Sequence, residues 1–368
     1  MRLGIDISTQ LEEIRAGARY FSDGKEMDPI KAFRNNGVDL IRLRIWNRPY
    51  SDNGKPYLGG TNDLTSTLEL IRLTKPYGYQ YIIDFHYSDF WVDPGKQTLP
   101  KDWEGLSFEG IVNKVYEFTK ECLLAIKKEG VEVPYIQIGN EITNGMIWPF
   151  GQLIDQGEDK ERGNYPNFIA LLNSGIKAAR EVFSDTKIIV HLERANDYKV
   201  YEELFTKLEE AKVNYDIIGM SYYPYWHGTF DQLFYNINNC RTKFHRNVMI
   251  MELGFGFTLE DYILTNNGTA QLKVNKENLE ADLPYDISVE GQALFIEDFL
   301  SRCKKAELEG VVYWEPLWIP GDNICWASSE GQDYIHESGK STRNEWSNQC
   351  LFDYKGNKLP GFDKFSLK

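Results

Sequence analysis

Two glutamates stand at the ends of short apolar runs, where they could supply the two carboxyl groups that cleavage of a glycosidic bond requires. Glu141 follows the run 135–139, and Glu252 closes the run 247–252. One carboxyl group must protonate the leaving oxygen, and the other must attack the anomeric carbon or activate a water. The chain has 55 acidic residues, so a single Glu in such a place carries little weight. Asn140 beside Glu141 strengthens the hypothesis, because an amide next to the acid can hold the sugar 2-hydroxyl.

Two arginines and a tyrosine could support such a pair. Arg42 and Arg44 alternate with apolar residues, so both lie on the same side of a strand. An internal salt bridge is one interpretation. For Arg44, nearer the end of the run, we favour a role in keeping the nucleophile ionised, because an adjacent cation lowers the pKa of a carboxylate. Tyr222 could donate a hydrogen bond to the same carboxylate or pack beneath the loop that follows it, and the sequence leaves both open.

Histidines and tryptophans also follow the apolar runs. Asp84 and His86 share one side of their run and could form a self-satisfied buried pair, or His86 could contact the substrate or the acid/base. His191 and His227 occupy comparable positions at the ends of later runs. Trp is uncommon on loops unless it binds something or packs a loop core. Four tryptophans are therefore candidate platforms for sugar rings: Trp91, Trp226, Trp314 and Trp318.

The elements that must position these residues alternate regularly along the chain. Short runs rich in Ile and Val predict buried parallel strands at 2–7, 39–45, 80–85, 135–139, 187–192, 216–221, 247–252 and 310–314. Amphipathic stretches between them predict helices at 28–36, 64–77, 109–129, 166–182, 198–211, 230–243 and 289–306.

Eight such units in an unbroken chain predict an α/β fold, a single (β/α)8 TIM barrel that occupies residues 1–368 as one catalytic domain. A doubly wound open sheet is the competing architecture. It is disfavoured because no G-x-G-x-x-G or P-loop follows the first strand. In a barrel, the loops after the strands form the site, which is where the residues above are found.

Composition excludes several classes of partner. The net charge of -14 and the pI near 5.0 argue against nucleic acid, because phosphate binding needs a basic face. No apolar run approaches the length of a membrane span. The five cysteines lack zinc spacing, and a bridge between Cys325 and Cys350 stays open. There is no H-E-x-x-H motif, so we expect neither a metal nor a cofactor.

Five segments together resemble glycoside hydrolase family 53, the endo-β-1,4-galactanases. They are 42–47, 84–97, 137–142, 221–228 and 346–353, and the resemblance runs from about residue 3 to residue 359. It implies a barrel with long loops, Glu141 as acid/base and Glu252 as nucleophile of a retaining hydrolysis. Asn140, Arg44, His86 and Tyr222 match the family's supporting residues. The implied substrate is β-1,4-galactan, cleaved within the chain.

Other functions remain to be weighed against this one. A mannanase or xylanase of the same clan would share both glutamates and differ in its aromatic and polar rim. A non-catalytic carbohydrate-binding barrel would lack one of the carboxylates, whereas both are present here. A barrel without any ligand would not need the cluster of tryptophans on its loops.

Further expectations follow from the resemblance and from the size of the substrate. The loop at about 257–287 lacks the Asp-x-Asp-x-His-x-Asn run that binds calcium in some bacterial members, so no calcium is expected there. Because a polymer does not enter the cytoplasm, we expect a secreted, periplasmic or cell-surface monomer whose leader is absent from this sequence.

Overall fold

Eight parallel strands close into a barrel at the centre of the computed structural model. The structure describes residues 1–154, 163–262, 272–275, 279, 283–340 and 342–367. Each strand pairs with its neighbours in the chain, and β1 closes the ring by pairing with both β2 and β8. The strands are β1 Arg2–Asp6, β2 Leu40–Ile45, β3 Gln80–Phe85, β4 Tyr135–Ile138, β5 Lys187–Leu192, β6 Ile217–Tyr222, β7 Asn247–Leu253 and β8 Gly310–Trp314. The predicted (β/α)8 barrel is confirmed, and every predicted strand agrees to within one residue at either end.

Within the described part of the chain, seven helices of 7 to 21 residues surround the barrel, and each follows one of the first seven strands. They bury one face against the strands, as Ile111, Val115 and Ile126 of the third helix do. Side-chain N-caps fix the first residue of several helices. Asp63 accepts a hydrogen bond from the Ser66 N–H, and Ser107 accepts one from the Gly110 N–H. The helices are α1 Pro29–Asn35, α2 Leu64–Thr74, α3 Phe108–Lys128, α4 Tyr165–Val182, α5 Tyr198–Glu210, α6 Phe230–Phe244 and α7 Val289–Lys305.

Short elements complete the loops. Antiparallel ribbons join Tyr20–Ser22 to Lys25–Met27 and Gly145–Met146 to Gly151–Gln152. Short α-helices cover Gln10–Arg15, Ser329–Tyr334 and Pro360–Lys364, and 3-10 turns cover Lys75–Tyr77, Lys101–Trp103, Ile142–Asn144 and Ser347–Gln349. Among the described residues, no helix has the length and apolar character needed to cross a membrane.

The interior of the barrel is apolar at one end and polar at the other. The apolar layer fills the end where the strands begin, and it consists of Leu40, Ile82, Tyr135, Ile189, Ile217, Met249, Met251 and Val312. One step further along the strands, period two places polar side chains on the same inner face, among them Arg42, Asp84, Gln137 and His191. The mouth at the carboxyl ends is therefore lined by groups that can do chemistry.

A bulge in β7 decides where Glu252 points. Met220 of β6 pairs with Ile250, but the next residue, Ser221, pairs with Glu252, so Met251 is an extra residue in β7. Strict alternation would put Glu252 on the outer face with Ile250, against the helices. The extra residue instead brings the Glu252 carboxylate to the inner face at the mouth.

All five cysteines are free thiols. Cys350 is buried and Cys325 partly exposed, and the bridge between them that the sequence left open is not formed. Burial raises the pKa of the Cys325 thiol to about 11, which keeps it protonated and unreactive near neutral pH.

One buried acid makes the stability of the barrel depend on pH. Glu12 is 8% exposed, and its Oε1 accepts a 2.7 Å hydrogen bond from the Thr61 hydroxyl. Burial raises its pKa from 4.5 to about 7, against the opposing hydrogen bonds. The unfolded chain releases this proton near pH 4.5, whereas the folded chain holds it to about pH 7. The stability contributed by the protonated group is therefore lost as pH rises through that window.

We expect Glu12→Gln to be roughly 3 kcal/mol more stable than the wild type at pH 8 and equally stable near pH 4.5, because the amide stays neutral throughout. Urea unfolding at the two pH values measures the difference. Glu121→Gln, which changes an exposed carboxyl on α3, should follow the wild-type pH dependence. An equal free energy of unfolding for Glu12→Gln and wild type at pH 8 would contradict the assignment.

Candidate active site

Glu141 and Glu252 face each other across the mouth of the barrel. A carboxylate oxygen of Glu141 lies within 4.8 Å of a carboxylate oxygen of Glu252. Retaining glycosidases hold their two carboxyl groups about 5–5.5 Å apart, whereas inverting enzymes need about 6.5–9.5 Å to admit a water. The observed separation therefore suits direct attack on the anomeric carbon by one of the two groups.

A sharp turn after β4 presents Glu141. Gly139 has φ +79°, and a Cβ there would lie 2.6 Å from the Ile142 side chain, so the position requires glycine. Glu141 itself has φ 47° and ψ 49°, a left-handed conformation that costs a non-glycine residue of order 1 kcal/mol or more. Backbone strain of this kind is concentrated at functional sites. Here it places the carboxyl group where Ser221 Oγ donates to Oε1 at 2.7 Å.

The two oxygens of Glu252 each accept a hydrogen bond. Arg42 Nη1 donates to Oε1 at 3.0 Å, and the Tyr223 hydroxyl donates to Oε2 at 2.9 Å. Burial raises the pKa of Glu252, while the Arg42 charge and the Tyr223 hydroxyl act in the opposite direction. Glu252 is thus provided with a cation and a second donor that both favour its ionised form.

Glu141 has the opposite environment. Burial, the neighbouring charge of Glu252 and then that of Glu193 raise its pKa well above the ordinary value, against the hydrogen bond from Ser221. Because two close carboxylates cannot both ionise readily, the pair keeps one proton, and that proton belongs on Glu141. Environments that separate the pKa values of two carboxyl groups in this way distinguish an acid from a nucleophile.

Arg42 organises the inner face of the mouth. A guanidinium has five N–H donors, and the structure gives Arg42 five acceptors at 2.8–3.2 Å. They are Asp6 Oδ2, Asp84 Oδ2, Gln137 Oε1, Asn140 Oδ1 and Glu252 Oε1. An internal salt bridge was one interpretation of this residue from the sequence, but its contact with Glu252 was not predicted.

Arg44 does not contact Glu252, which corrects its expected role. Its Nη1 lies 2.8 Å from Glu315 Oε1 and 3.4 Å from Asp6 Oδ1. The guanidinium also lies over the ring of Trp91, 4.4 Å from its centroid. Arg44 lines the cleft, where it supports the tryptophan through a cation–π contact rather than the nucleophile through a salt bridge.

Of the two interpretations that the sequence left open for Tyr222, the structure does not show the contact with the nucleophile. The Tyr222 hydroxyl donates to the Gly228 carbonyl at 3.0 Å, and its ring stacks on Phe299 of α7 with centroids 5.4 Å apart. Tyr222 therefore points out of the barrel and packs beneath its loop, which was the alternative interpretation. Its neighbour Tyr223 points inward and makes the contact with Glu252.

These two adjacent tyrosines give a matched pair of variants. Tyr223→Phe should lower kcat about 10- to 100-fold, because a hydrogen bond to a charged group contributes about 1.5–3 kcal/mol. Tyr222→Phe removes a hydroxyl of the same kind that bonds only a loop carbonyl, and kcat should stay within about threefold of wild type. Steady-state measurement of kcat for the two variants tests this difference. Equal losses in kcat would show that the Tyr223 hydroxyl has no special part in the chemistry.

Asn140 is held in one orientation. Its Oδ1 accepts from Arg42 Nη2 at 2.9 Å and from Gln137 Nε2 at 3.1 Å, so its amino group faces away from Arg42. One amino hydrogen goes to the Val92 carbonyl at 3.2 Å. Asn140 lines the cleft, and its contact with a sugar hydroxyl beside Glu141 stays a prediction.

Asp84 and His86 form a pair, in which His86 lines the cleft and Asp84 is fully buried. His86 Nδ1 accepts from Trp46 Nε1 at 3.1 Å, so Nε2 carries the hydrogen and donates to Asp84 Oδ2 at 3.0 Å. Asp84 in turn accepts from Arg42. Both nitrogens of His86 are engaged by protein groups, although the residue lines the cleft.

His227 also lines the cleft, and its Nδ1 accepts from the Tyr223 N–H at 3.1 Å. Burial lowers its pKa to about 4, so the imidazole is neutral near pH 7. His227 fixes the turn that carries Tyr223 and still presents Nε2 as a possible donor.

Tryptophans form one wall of the cleft. Trp91, Trp226 and Trp314 line it, and Trp226 is the most accessible at 49% exposure. Trp318 does not line it, which corrects its predicted role as a platform. It is fully buried and stacks behind Trp326, with centroids 5.7 Å apart.

Several cleft residues were not predicted. Glu193 lies two residues after His191, so the period of two could have identified it. Trp346 opens one of the segments that carry the family resemblance. The remaining residues follow strands or lie on loops whose approach depends on the fold: Val92, Asp93, Pro94, Lys96, Tyr223, Lys273, Trp326 and Glu337.

One potential cation site lies among the described residues, and it is the catalytic pair itself with His191. His191 Nε2 lies 2.9 Å from Ser221 Oγ, and Nδ1 lies 3.0 Å from both Gln137 Nε2 and Asn140 Oδ1. Because the ring is already engaged at both nitrogens, the donor set fits a hydrogen-bonded network better than metal ligation. The predicted absence of calcium concerns a loop in which residues 263–271, 276–278 and 280–282 lie outside the described residues, and it stays a prediction.

Comparisons with known proteins agree with this geometry. A solved structure, the Ignisphaera aggregans GH53 catalytic domain, superposes with a TM-score of 0.87 at 33% identity, covering 99% of this chain and 95% of that one. An endo-beta-1,4-galactanase of Bacillus subtilis (strain 168) is 34% identical over 98% of this chain and 84% of the relative. An arabinogalactan endo-beta-1,4-galactanase of Cellvibrio japonicus (strain Ueda107) is 29% identical over 98% of this chain and 89% of the relative. The family model of glycosyl hydrolase family 53 matches residues 2–365, and the chain belongs to this family.

Proposed function

We propose that this glycoside hydrolase cleaves β-1,4-galactosidic bonds within galactan by a retaining double displacement. The observation that carries the proposal is the close pair of carboxyl groups with different surroundings: Glu252 accepts from Arg42 and Tyr223, whereas Glu141 accepts from Ser221 and has a pKa raised well above its ordinary value by burial and by neighbouring carboxylates. The substrate is inferred from relatives that are named galactanases and that match nearly the whole chain.

In the first step, Glu252 attacks the anomeric carbon while Glu141 transfers its proton to the glycosidic oxygen. The bond between the sugar and the leaving oxygen breaks, and a galactosyl ester of Glu252 forms. Esterification removes the negative charge that raised the pKa of Glu141, so Glu141 stays a carboxylate after giving up its proton. Glu141 then removes a proton from water, which attacks the ester and releases the sugar with its original configuration.

The aromatic wall supports a carbohydrate substrate. Trp91, Trp226 and Trp314 present ring surfaces along the cleft, and the apolar C–H faces of pyranoses pack on such rings. Because the cleft is open to solvent beside the exposed Trp226, a long chain can lie across it, which is consistent with cleavage at internal bonds.

A panel of linear β-1,4-galactan, β-mannan and xylan tests the substrate. The expected result is early release of oligosaccharides of mixed length from galactan, with little reducing sugar from the other two. Cleavage of mannan or xylan without cleavage of galactan would keep the mechanism and replace the substrate. Binding of galactan without any release would instead identify a carbohydrate-binding barrel.

Proton NMR during hydrolysis tests the stereochemistry. The β-anomer of the new reducing end should form first and then mutarotate. Initial formation of the α-anomer would mean inversion, which needs a wider gap than the 4.8 Å within which an oxygen of each carboxyl group lies.

We also propose that the protein is a monomer that acts outside the cytoplasm. The support for the location is the size of the polymer, which must be shortened before its products can be taken up. Measurement of galactanase activity in the fractions of expressing cells tests the location. The mass from analytical ultracentrifugation tests whether the protein is a monomer.

A further inference from the structure

Ser221 connects the acid/base to the interior of the barrel. It lies on β6, is fully buried, and is the residue at which the bulge in β7 shifts the register. Its Oγ lies 2.7 Å from Glu141 Oε1 and 2.9 Å from His191 Nε2. A serine hydroxyl has one proton, so it can donate in only one of these two directions.

The tautomer of His191, that is, which of its two ring nitrogens carries the hydrogen, sets that direction. Burial, and then the charge of Arg42, lower the pKa of His191 well below its ordinary value, so the ring is neutral and has one N–H. If Nδ1 carried the hydrogen, Nε2 would accept the Ser221 proton, and Ser221 could then only accept from Glu141. If Nε2 carries it, His191 donates to Ser221, and the hydroxyl proton points at Glu141. Two groups lie 3.0 Å from Nδ1: Asn140 Oδ1, which would accept from it in the first arrangement, and Gln137 Nε2, which can donate to it in the second. Asn140 Oδ1 already accepts from Arg42 Nη2 at 2.9 Å, so it does not require the His191 hydrogen, and we favour the second arrangement.

We propose that His191 and Ser221 are positioning residues for the acid/base, with His191 donating from Nε2 to Ser221 and Ser221 donating to Oε1 of Glu141. Oε1 then remains the unprotonated oxygen of the carboxyl group, and the transferable proton stays on Oε2 for the glycosidic oxygen. The proposal rests on the acid/base role of Glu141 given above. It extends the site to two buried residues that need not touch the substrate.

The same hydrogen bond serves both steps of the reaction. It keeps the acid proton on the productive oxygen in the first step and stabilises the Glu141 carboxylate when that carboxylate acts as a base in the second. The other charged groups facing Glu141 are Glu252 from β7, Glu193 after β5 and Asp93 after β3, and all three raise its pKa. The hydrogen bond from Ser221 lowers the pKa of Glu141 and so acts against these three charges.

Ser221→Ala tests the proposal through the pH profile of kcat/KM on galactan. Loss of the donor should raise the pKa of Glu141, so the basic limb of the profile should move up by about one pH unit. We also expect kcat at pH 6 to fall about 10- to 100-fold. Ser174→Ala, which removes a buried hydroxyl that donates to the Val112 carbonyl on the outer helices, should leave the profile unchanged.

A Ser221→Ala variant that folds, shown by an unchanged circular dichroism spectrum, but keeps the wild-type basic limb would overturn the proposal, whatever its kcat. His191→Gln and His191→Phe provide a second route if Ser221→Ala does not fold. The glutamine can place an N–H close to the Nε2 position and should retain the basic limb, whereas the phenylalanine should shift it upward. Equal profiles for these two variants would also overturn the proposal.

Glu141→Gln, measured in parallel, separates this proposal from the proposed function. If Glu141→Gln remains fully active, the acid/base assignment is wrong and the positioning role fails with it. If Glu141→Gln is inactive and Ser221→Ala keeps the basic limb, the proposed function stands and only the role of Ser221 and His191 is wrong.

Discussion

Glu252→Gln is expected to lower kcat on galactan at least about 10⁴-fold while the barrel stays folded. An amide cannot form the glycosyl ester, so the first step has no nucleophile. The amide oxygen can still accept from Arg42, and the Tyr223 hydroxyl can rotate to accept from the amide nitrogen. The substitution therefore removes the chemistry and largely preserves the contacts.

Glu345→Gln is the matched control. Glu345 and Glu252 are equally exposed, at 7%, and each is paired with a cation, Glu345 with Lys273 at 2.8 Å. Glu345 is not among the residues that line the cleft. Its variant should keep kcat within about threefold of wild type, because loss of one such pair affects stability more than chemistry. A similar loss in both variants would mean that the effect of Glu252→Gln is on folding.

Covalent trapping gives an independent measurement. A dinitrophenyl galactobioside with fluorine at the 2-position of the reacting ring forms the ester readily and hydrolyses slowly, because fluorine destabilises both positively charged transition states. The wild type should gain the mass of the fluorinated disaccharide on the peptide that contains Glu252, and Glu252→Gln should gain none. Label on any other residue would contradict the assignment of the nucleophile.

The fold and the two carboxyl groups could be predicted from sequence for a physical reason. Strands buried on both faces are continuous apolar runs, so their ends are sharp. A barrel brings all the carboxyl ends to one mouth, so residues just after each run must meet there. Glu141 and Glu252 were identified by this rule without any knowledge of the distance between them.

Side-chain direction was harder to predict, as β6 and β7 show. The run 217–222 is apolar on both faces, so its pattern does not reveal that Ser221 and Tyr223 point inward and Tyr222 outward. In β7, alternation from Ile250 would point Glu252 outward. Only the pairing with β6, which is a property of two strands together, reveals the bulge that turns it inward.

The sequence also could not predict how deep in the barrel each inward-pointing side chain lies. Arg42 and Arg44 share the inner face, and the one nearer the strand end seemed better placed to reach the nucleophile. The stagger between strands instead puts Arg42 level with Glu252 and Arg44 level with Glu315 after β8. Trp318 shows a related difficulty, because its neighbours Leu317 and Ile319 form the core of a loop that buries it.

Glu141→Ala is expected to divide the reaction into its two steps. On galactan, where the leaving oxygen needs a proton, kcat should fall by about 10²–10⁴-fold. On a dinitrophenyl β-galactobioside, whose leaving group departs without a proton, the first step should remain fast. The second step still lacks its base, so a burst of one dinitrophenolate per enzyme should precede slow turnover.

Azide should restore the second step. Removal of the carboxyl group leaves space for a small anion next to the ester, and azide needs no base to attack it. The product should be the β-galactobiosyl azide, because two displacements at the anomeric carbon retain its configuration. Stopped-flow absorbance measures the burst, and NMR identifies the azide product.

Glu193→Ala serves as the control, since Glu193 is a third carboxylate that lines the same cleft and contributes to the raised pKa of Glu141. It should show neither a burst nor acceleration by azide. Its basic limb of kcat/KM should move to lower pH as one negative charge leaves, whereas Glu141→Ala should lose that limb altogether. Formation of the α-azide by Glu141→Ala would instead mean a single displacement, and Glu252 could then no longer be the nucleophile.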